Sequence, residues 1–67
     1  MNVYVNNRIT EVDKGITLSK LIEFLKITYG KGIAIALNGS VISKTNWEKT
    51  YLKEGDKILI IKATQGG

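Results

Sequence analysis

Sixty-seven residues without cysteine or histidine make one domain held by packing: so short a chain buries only about 60% of its unfolded surface, and disulfides and the commonest metal ligand are excluded. Apolar residues at 43% against 24% charged suffice for a core and argue against disorder. The net charge of +4 comes mainly from lysines at 14, 20, 26, 31, 44, 49, 53, 57 and 62, a scatter that reads as a solvated surface or a face for an acidic protein, not a nucleic-acid stripe. The first residues lack the basic start and apolar run of a secretory signal, and no stretch approaches the roughly 18 apolar residues of a membrane span. A soluble cytoplasmic protein is expected, with neither a nucleic acid nor a membrane as partner.

Met1, Val3 and Val5 alternate with Asn2 and Tyr4, the period of a strand with one face inward. Asn6-Asn7 tolerates the positive φ of a tight hairpin, so residues 8–12 return antiparallel until Asp13-Lys14-Gly15 breaks the pairing. Thr17 then offers an N-cap, and Leu18, Leu21, Ile22 and Leu25 fall at i, i+3, i+4 and i+7 of a helix. Lys20, Glu23 and Lys26 take its other side, and Gly30 or Gly32 is the expected left-handed stop. Ile33-Ala34-Ile35-Ala36-Leu37 is a strand with large residues on one face and alanines on the other. Asn38-Gly39 is the strongest turn signal, with Val41-Ile42 pairing beyond it. Residues 43–52 lack a clean period and read as a loop or short helical turn pinned by Trp47 and Leu52. After a turn at Lys53-Glu54-Gly55-Asp56 comes the last strand, Lys57–Lys62.

That strand is apolar on both faces, which places it centrally in the sheet. Ile58 and Ile60 are assigned inward, Leu59 and Ile61 outward. With Tyr4, the outward pair forms either an apolar patch beside the tail or a face covered by loop residues. The order hairpin, helix, strand, turn, strand gives an α+β domain in which one helix crosses a mixed sheet. If the first and last strands pair in parallel at its centre, Gly67 reaches up to about 16 Å beyond Lys62. The body is 1–62 and the tail 63–67. The tail ends Gln65-Gly66-Gly67; two terminal glycines arise by chance in about 0.5% of chains, which is suggestive but compatible with a frayed end. Its functional reading is a narrow, flexible strip that threads a partner's slot and delivers the α-carboxyl.

The stretch Ala36-Leu37-Asn38-Gly39, Val41, Trp47 and Leu52, then Gly55-Asp56-Lys57-Ile58 and Gly66-Gly67, resembles in kind and spacing the ubiquitin-like β-grasp sulfur carriers, and within them the ThiS family of thiamine (thiazole) biosynthesis. The first hairpin and Thr17-Leu18 match more loosely, and the likeness spans essentially the whole chain. At one position Lys44 stands where the family pattern has arginine before the tryptophan, and lysine does not make arginine's bidentate contact.

The resemblance implies a ubiquitin-like β-grasp fold and a carrier in place of an enzyme. A ThiF-like adenylating enzyme uses ATP to turn the terminal glycine into an acyl-adenylate, sulfur from a persulfide donor displaces AMP, and the thiocarboxylate supplies a ThiG-like thiazole synthase. The tail's chemistry agrees independently: an α-carboxyl of pKa about 3.5 is ionised at neutral pH and is a poor electrophile until activated. The chain has no phosphate-loop motif and no Cys or His to serve as nucleophile or base, so partners must perform each step and no cofactor is expected on this chain. Gly67 is then the adenylated and thiocarboxylated residue, Gly66 and Gln65 the slender tail behind it, and Leu59, Ile61 and Tyr4 the docking residues.

Other features favour simpler roles. Gly30-Lys31-Gly32 follows a helix instead of leading into one, so it reads as a stop and turn. Glu54 and Asp56 are too few for a metal site and hold their turn, and Trp47 anchors its own loop instead of stacking on a base. Alternatives within the fold are a carrier for molybdopterin synthesis or tRNA thiolation, or a modifier joined to protein lysines. Outside it stands a small module that binds RNA or protein and makes no use of its glycines.

Overall fold

A computed structural model describes residues 1–26 and 32–62. Its elements are β1 (Asn2–Val5), β2 (Arg8–Glu11), α1 (Leu18–Phe24), β3 (Ile33–Leu37), β4 (Ser40–Ile42), a 3-10 helix (Lys44–Lys49) and β5 (Lys57–Lys62). Asn6 and Asn7 both take positive φ, 49° and 69°, which makes the β1–β2 connection the two-residue turn whose twist matches that of paired strands. Asn38 and Gly39, at φ 50° and 89°, do the same between β3 and β4. The sheet order is β2-β1-β5-β3-β4. β1 and β5 pair in parallel at its centre, so the doubly apolar last strand is flanked on both sides, as its composition requires.

One face of this sheet and the helix stripe form the core. Val3, Leu18, Leu21, Ile22, Ile35 and Ile58 are fully buried, closed off by Val12, Trp47 and Leu52. Thr17 caps α1, its Oγ1 accepting the Lys20 N–H at 3.1 Å, and so satisfies one of the helix's orphan donors. The 3-10 helix carries Trp47 inward, where its Nε1 donates to the Ile42 carbonyl at 2.9 Å. Leu18 N–H to Thr50 C=O and Leu52 N–H to Ile16 C=O then stitch this loop to the helix start.

The helix ends earlier than its glycines suggest. Leu25 is the C-cap and Lys26 the left-handed residue, at φ 56°, donating its N–H to the Glu23 carbonyl. The apolar stripe of the sequence stops at the same point: Leu25 packs half-buried at the core's edge, and the residues three and four further on are Thr28 and Tyr29, neither of them aliphatic. An exposed lysine bears the left-handed conformation at a cost of about 1–2 kcal/mol. Gly32 does take positive φ, 77°, but just ahead of β3; Gly30 and Lys31 lie outside the described residues.

Two side-chain devices finish the sheet. Where β1 stops, the Asn6 carboxamide continues the ladder: Oδ1 accepts the Ile60 N–H at 2.7 Å and Nδ2 donates to the Ile60 carbonyl at 3.4 Å. At the other end Asn38 ties two turns together, with Nδ2 donating to Asp56 Oδ1 at 3.0 Å and Oδ1 accepting the Lys57 N–H at 2.9 Å. Asp56 Oδ2 accepts the Lys53 N–H and Glu54 Oε1 that of Asn2, so both carboxylates hold the turn as expected. Asn6→Gly removes the amide bridge while relieving the positive φ, and a loss of about 1 kcal/mol in urea unfolding is expected from the hydrogen bonds alone.

An open apolar sheet face beside the tail exit

The face of the sheet opposite α1 is built by strand alternation. Lys57, Leu59 and Ile61 of β5 point away from the helix, as do Tyr4 of β1 and Ala34 and Ala36 of β3, because successive strand residues alternate sides. Register arranges them in rows. Ile9, Tyr4 and Lys57 line up across β2, β1 and β5, and Val41, Ala36 and Leu59 across β4, β3 and β5; Ile61 pairs with Ala34.

Of the two possibilities left open by the sequence, the face is uncovered by the described loops: Tyr4 is 37% exposed, Leu59 47% and Ile61 46%. Tyr4 and Leu59 meet around one open-mouthed depression of about 250 Å³, whose lining also includes Ala36, Lys57 and Asn6. Ile61 stands one strand repeat beyond it, roughly 7 Å towards the C-terminus, and does not line it. The small side chain of Ala36 leaves the space that the depression occupies.

Sequence reasoning passed over Ile9 and Val41, both exposed on this face. The signal was there: the hairpin turns set the register, and register puts Ile9 opposite Tyr4 and Val41 opposite Ala36. A larger groove of about 500 Å³ beside Phe24 lies among Glu11, Asp13 and Lys14, on the helix side and away from Ile61. The predicted tail residues Gln65, Gly66 and Gly67 lie outside the described residues, as does the tail's expected reach past Lys62. Among the described residues no group of acidic side chains is arranged to hold a metal ion, and no helix is long and apolar enough to cross a membrane.

A five-stranded mixed sheet with a parallel central pair, one helix over one face and an open apolar opposite face defines a ubiquitin-like β-grasp protein whose chain continues past the central strand. Comparison with known proteins narrows the class. The ThiS family model matches residues 2–67. The chain is similar to the sulfur carrier protein ThiS of Escherichia coli (strain K12), at 27% identity over 67 residues and the full length of both chains. It is also similar to the crystal structure of a thiamine biosynthesis protein (ThiS) from Geobacter metallireducens, with 28% identity, TM-score 0.86 and full coverage of both chains. A solution structure of a Geobacter metallireducens thiamine biosynthesis protein gives TM-score 0.79 at 28% identity, over all of this chain and 88% of that one. The chain belongs to the ThiS family, and the β-grasp fold expected from its motifs is the one it has.

Proposed function

We infer that the chain is a sulfur carrier protein of thiamine biosynthesis, in which Gly67 is the residue activated and loaded with sulfur. The observation that carries this reading is the family match, which runs through the whole body into Gly66-Gly67. It favours thiazole formation over molybdopterin synthesis, tRNA thiolation or protein modification.

The proposed chemistry follows from a carboxylate's low electrophilicity. An oxygen of the Gly67 carboxylate attacks the α-phosphorus of ATP held by a ThiF-like adenylating enzyme, and pyrophosphate leaves. The terminal sulfur of a persulfide donor then displaces AMP to give an acyl disulfide, a thiol attacks the donor-side sulfur of that bond and leaves it as a mixed disulfide, and the thiocarboxylate so released passes its sulfur to a ThiG-like thiazole synthase. ATP is the partner's substrate; the chain has no Cys or His to act as nucleophile or base. The body's role is to be gripped. Leu59, Ile61 and Tyr4 are proposed as docking residues because their exposed apolar surface lies on the strand that leads into the tail and, for Tyr4, on β1 paired beside it.

Intact mass after incubation with adenylating enzyme, ATP, a persulfide donor and a thiol reductant tests the reading. A gain equal to one oxygen replaced by sulfur is expected, and it is lost when Gly67 is deleted. No gain with competent partners would overturn the carrier role and return the glycines to an ordinary chain end.

A further inference from the structure

The turn between β3 and β4 holds a reactive pair of residues in an unreactive pose. Of the chain's asparagines only Asn38 is followed by glycine, and a backbone nitrogen with no side chain beside it is the least hindered nucleophile a carboxamide can meet. Both residues are exposed, and nothing lies within 4 Å of where a Cβ would stand on Gly39, so water has free access to the turn. The Asn38 carboxamide is nevertheless held at both of its polar atoms by residues 18 and 19 positions further along the chain. Its Nδ2 donates to Asp56 Oδ1 at 3.0 Å, and its Oδ1 accepts the Lys57 N–H at 2.9 Å. Asp56 is itself fixed, half-buried and with Oδ2 accepting the Lys53 N–H at 2.8 Å.

We propose that Asn38 is a site of spontaneous deamidation, and that Asp56 is the lock that slows the reaction in the folded protein. In that reaction the Gly39 nitrogen attacks Cγ of Asn38. A nitrogen–carbon bond forms, the Cγ–Nδ2 bond breaks, and ammonia leaves with the proton that the Gly39 nitrogen gives up. Water then opens the cyclic imide at one carbonyl to aspartate or at the other to isoaspartate. The lock opposes both halves of the first step. Attack requires the carboxamide to swing towards the Gly39 nitrogen, which breaks its bonds to Asp56 and Lys57. Departure of ammonia requires a proton on Nδ2, whereas the carboxylate facing it accepts hydrogen bonds and offers no proton. Either product undoes the tie between the two turns. An aspartate at 38 sets two carboxylates against each other where donor and acceptor stood 3.0 Å apart, and like charges at that range repel. Isoaspartate adds a backbone carbon to the turn that sets the β3–β4 register. The inference stands apart from the carrier reading, since it needs no partner and no tail.

The experiment incubates folded wild type, Asp56→Ala, Leu25→Ala and wild type held unfolded in urea, all in mildly alkaline buffer at 37 °C. Circular dichroism first confirms which samples are folded. Intact mass follows the conversion of an amide to an acid, and peptide mapping locates it and separates aspartate from isoaspartate. Unfolded wild type is expected to convert at Asn38 at least about tenfold faster than folded wild type. Folded Asp56→Ala should also convert about tenfold faster, the scale of one hydrogen bond to a charged acceptor. Leu25→Ala, which loosens the fold away from this turn, should keep the wild-type rate. Absent conversion at Asn38 in urea, or faster conversion at another asparagine, overturns the site. Equal rates in folded and unfolded wild type, or in Asp56→Ala and wild type, overturn the lock. So does an equal acceleration in Leu25→Ala, because general opening of the fold would then set the rate. If Asp56→Ala does not fold, Asn38→Asp decides: a lowered urea midpoint is expected, and an unchanged one means that the Asn38–Asp56 bond holds nothing.

Discussion

A carrier with valine in place of Gly66 is expected to unfold at the wild-type temperature and to fail in activation. In the proposed activation a partner enzyme must bring a carboxylate oxygen in line with the α-phosphorus of ATP, and misplacement by about 1 Å can cost 100-fold. Glycine at 66 leaves only backbone to thread a slot and gives the chain access to conformations that valine, branched at Cβ, is denied. The ATP–pyrophosphate exchange rate should fall at least about 100-fold, equivalent to about 2.7 kcal/mol of barrier. Gly66→Ala should lose distinctly less, because one methyl is a smaller obstruction. Stability is expected to hold because the core among the described residues runs from Val3 to Ile58. Pyrophosphate exchange and thermal unfolding measured on the same samples separate the two effects. Near-normal exchange by Gly66→Val would refute threading, whatever became of later sulfur transfer.

The hairpin strands were readable from short alternating patterns beside a recognisable turn chemistry, and β5 as an apolar run that follows the turn at Gly55. Asn6-Asn7 and Asn38-Gly39 both adopt the left-handed pairs their residue types allow, and those turns fix register without long-range information. The sides of β5 were equally legible, since four consecutive apolar residues, Ile58 to Ile61, admit one inward pair once the helix supplies a core. Asn6 and Asn38 were legible only in part. Each was identified as a turn residue, yet each also uses its carboxamide on a segment about 54 or 19 residues away in sequence, and local pattern cannot show such a partner. The helix end was misplaced for a related reason: glycine marks where a left-handed residue is easiest, whereas the extent of the apolar stripe decided where one was needed. The depression beside Tyr4 and Leu59 is legible only in three dimensions, because it is the gap above Ala36 between rows contributed by several strands. Family motifs pointed to the ThiS family along the whole chain, while the shape of the open face had to come from the sheet.

The helix stripe makes a second large effect testable, and the structure ranks two leucines that helical spacing treats alike. Leu21 is fully buried under the sheet, whereas Leu25 is the C-cap and packs only partly against the core. Leu21→Ala is expected to cost about 2–5 kcal/mol, combining lost transfer energy with a cavity that the sheet cannot close. A domain of this length has roughly 3–10 kcal/mol of stability, so much of the population is expected to unfold at 37 °C. Leu25→Ala should cost about half as much, since part of its side chain is already in water and a residue at the end of a helix can settle into the space. Urea unfolding at 25 °C measures both differences, with a common slope confirming that the two variants share one unfolded reference. Equal losses would mean that Leu25 contributes to the core as fully as the helical repeat suggests and that α1 is held further along than its cap at Leu25. A much larger loss for Leu21 would locate the stability of the helix in its middle turn, between Leu18 and Ile22, where these residues share one buried cluster with Val3 of β1 and Ile58 of β5, the strand that leads to the tail.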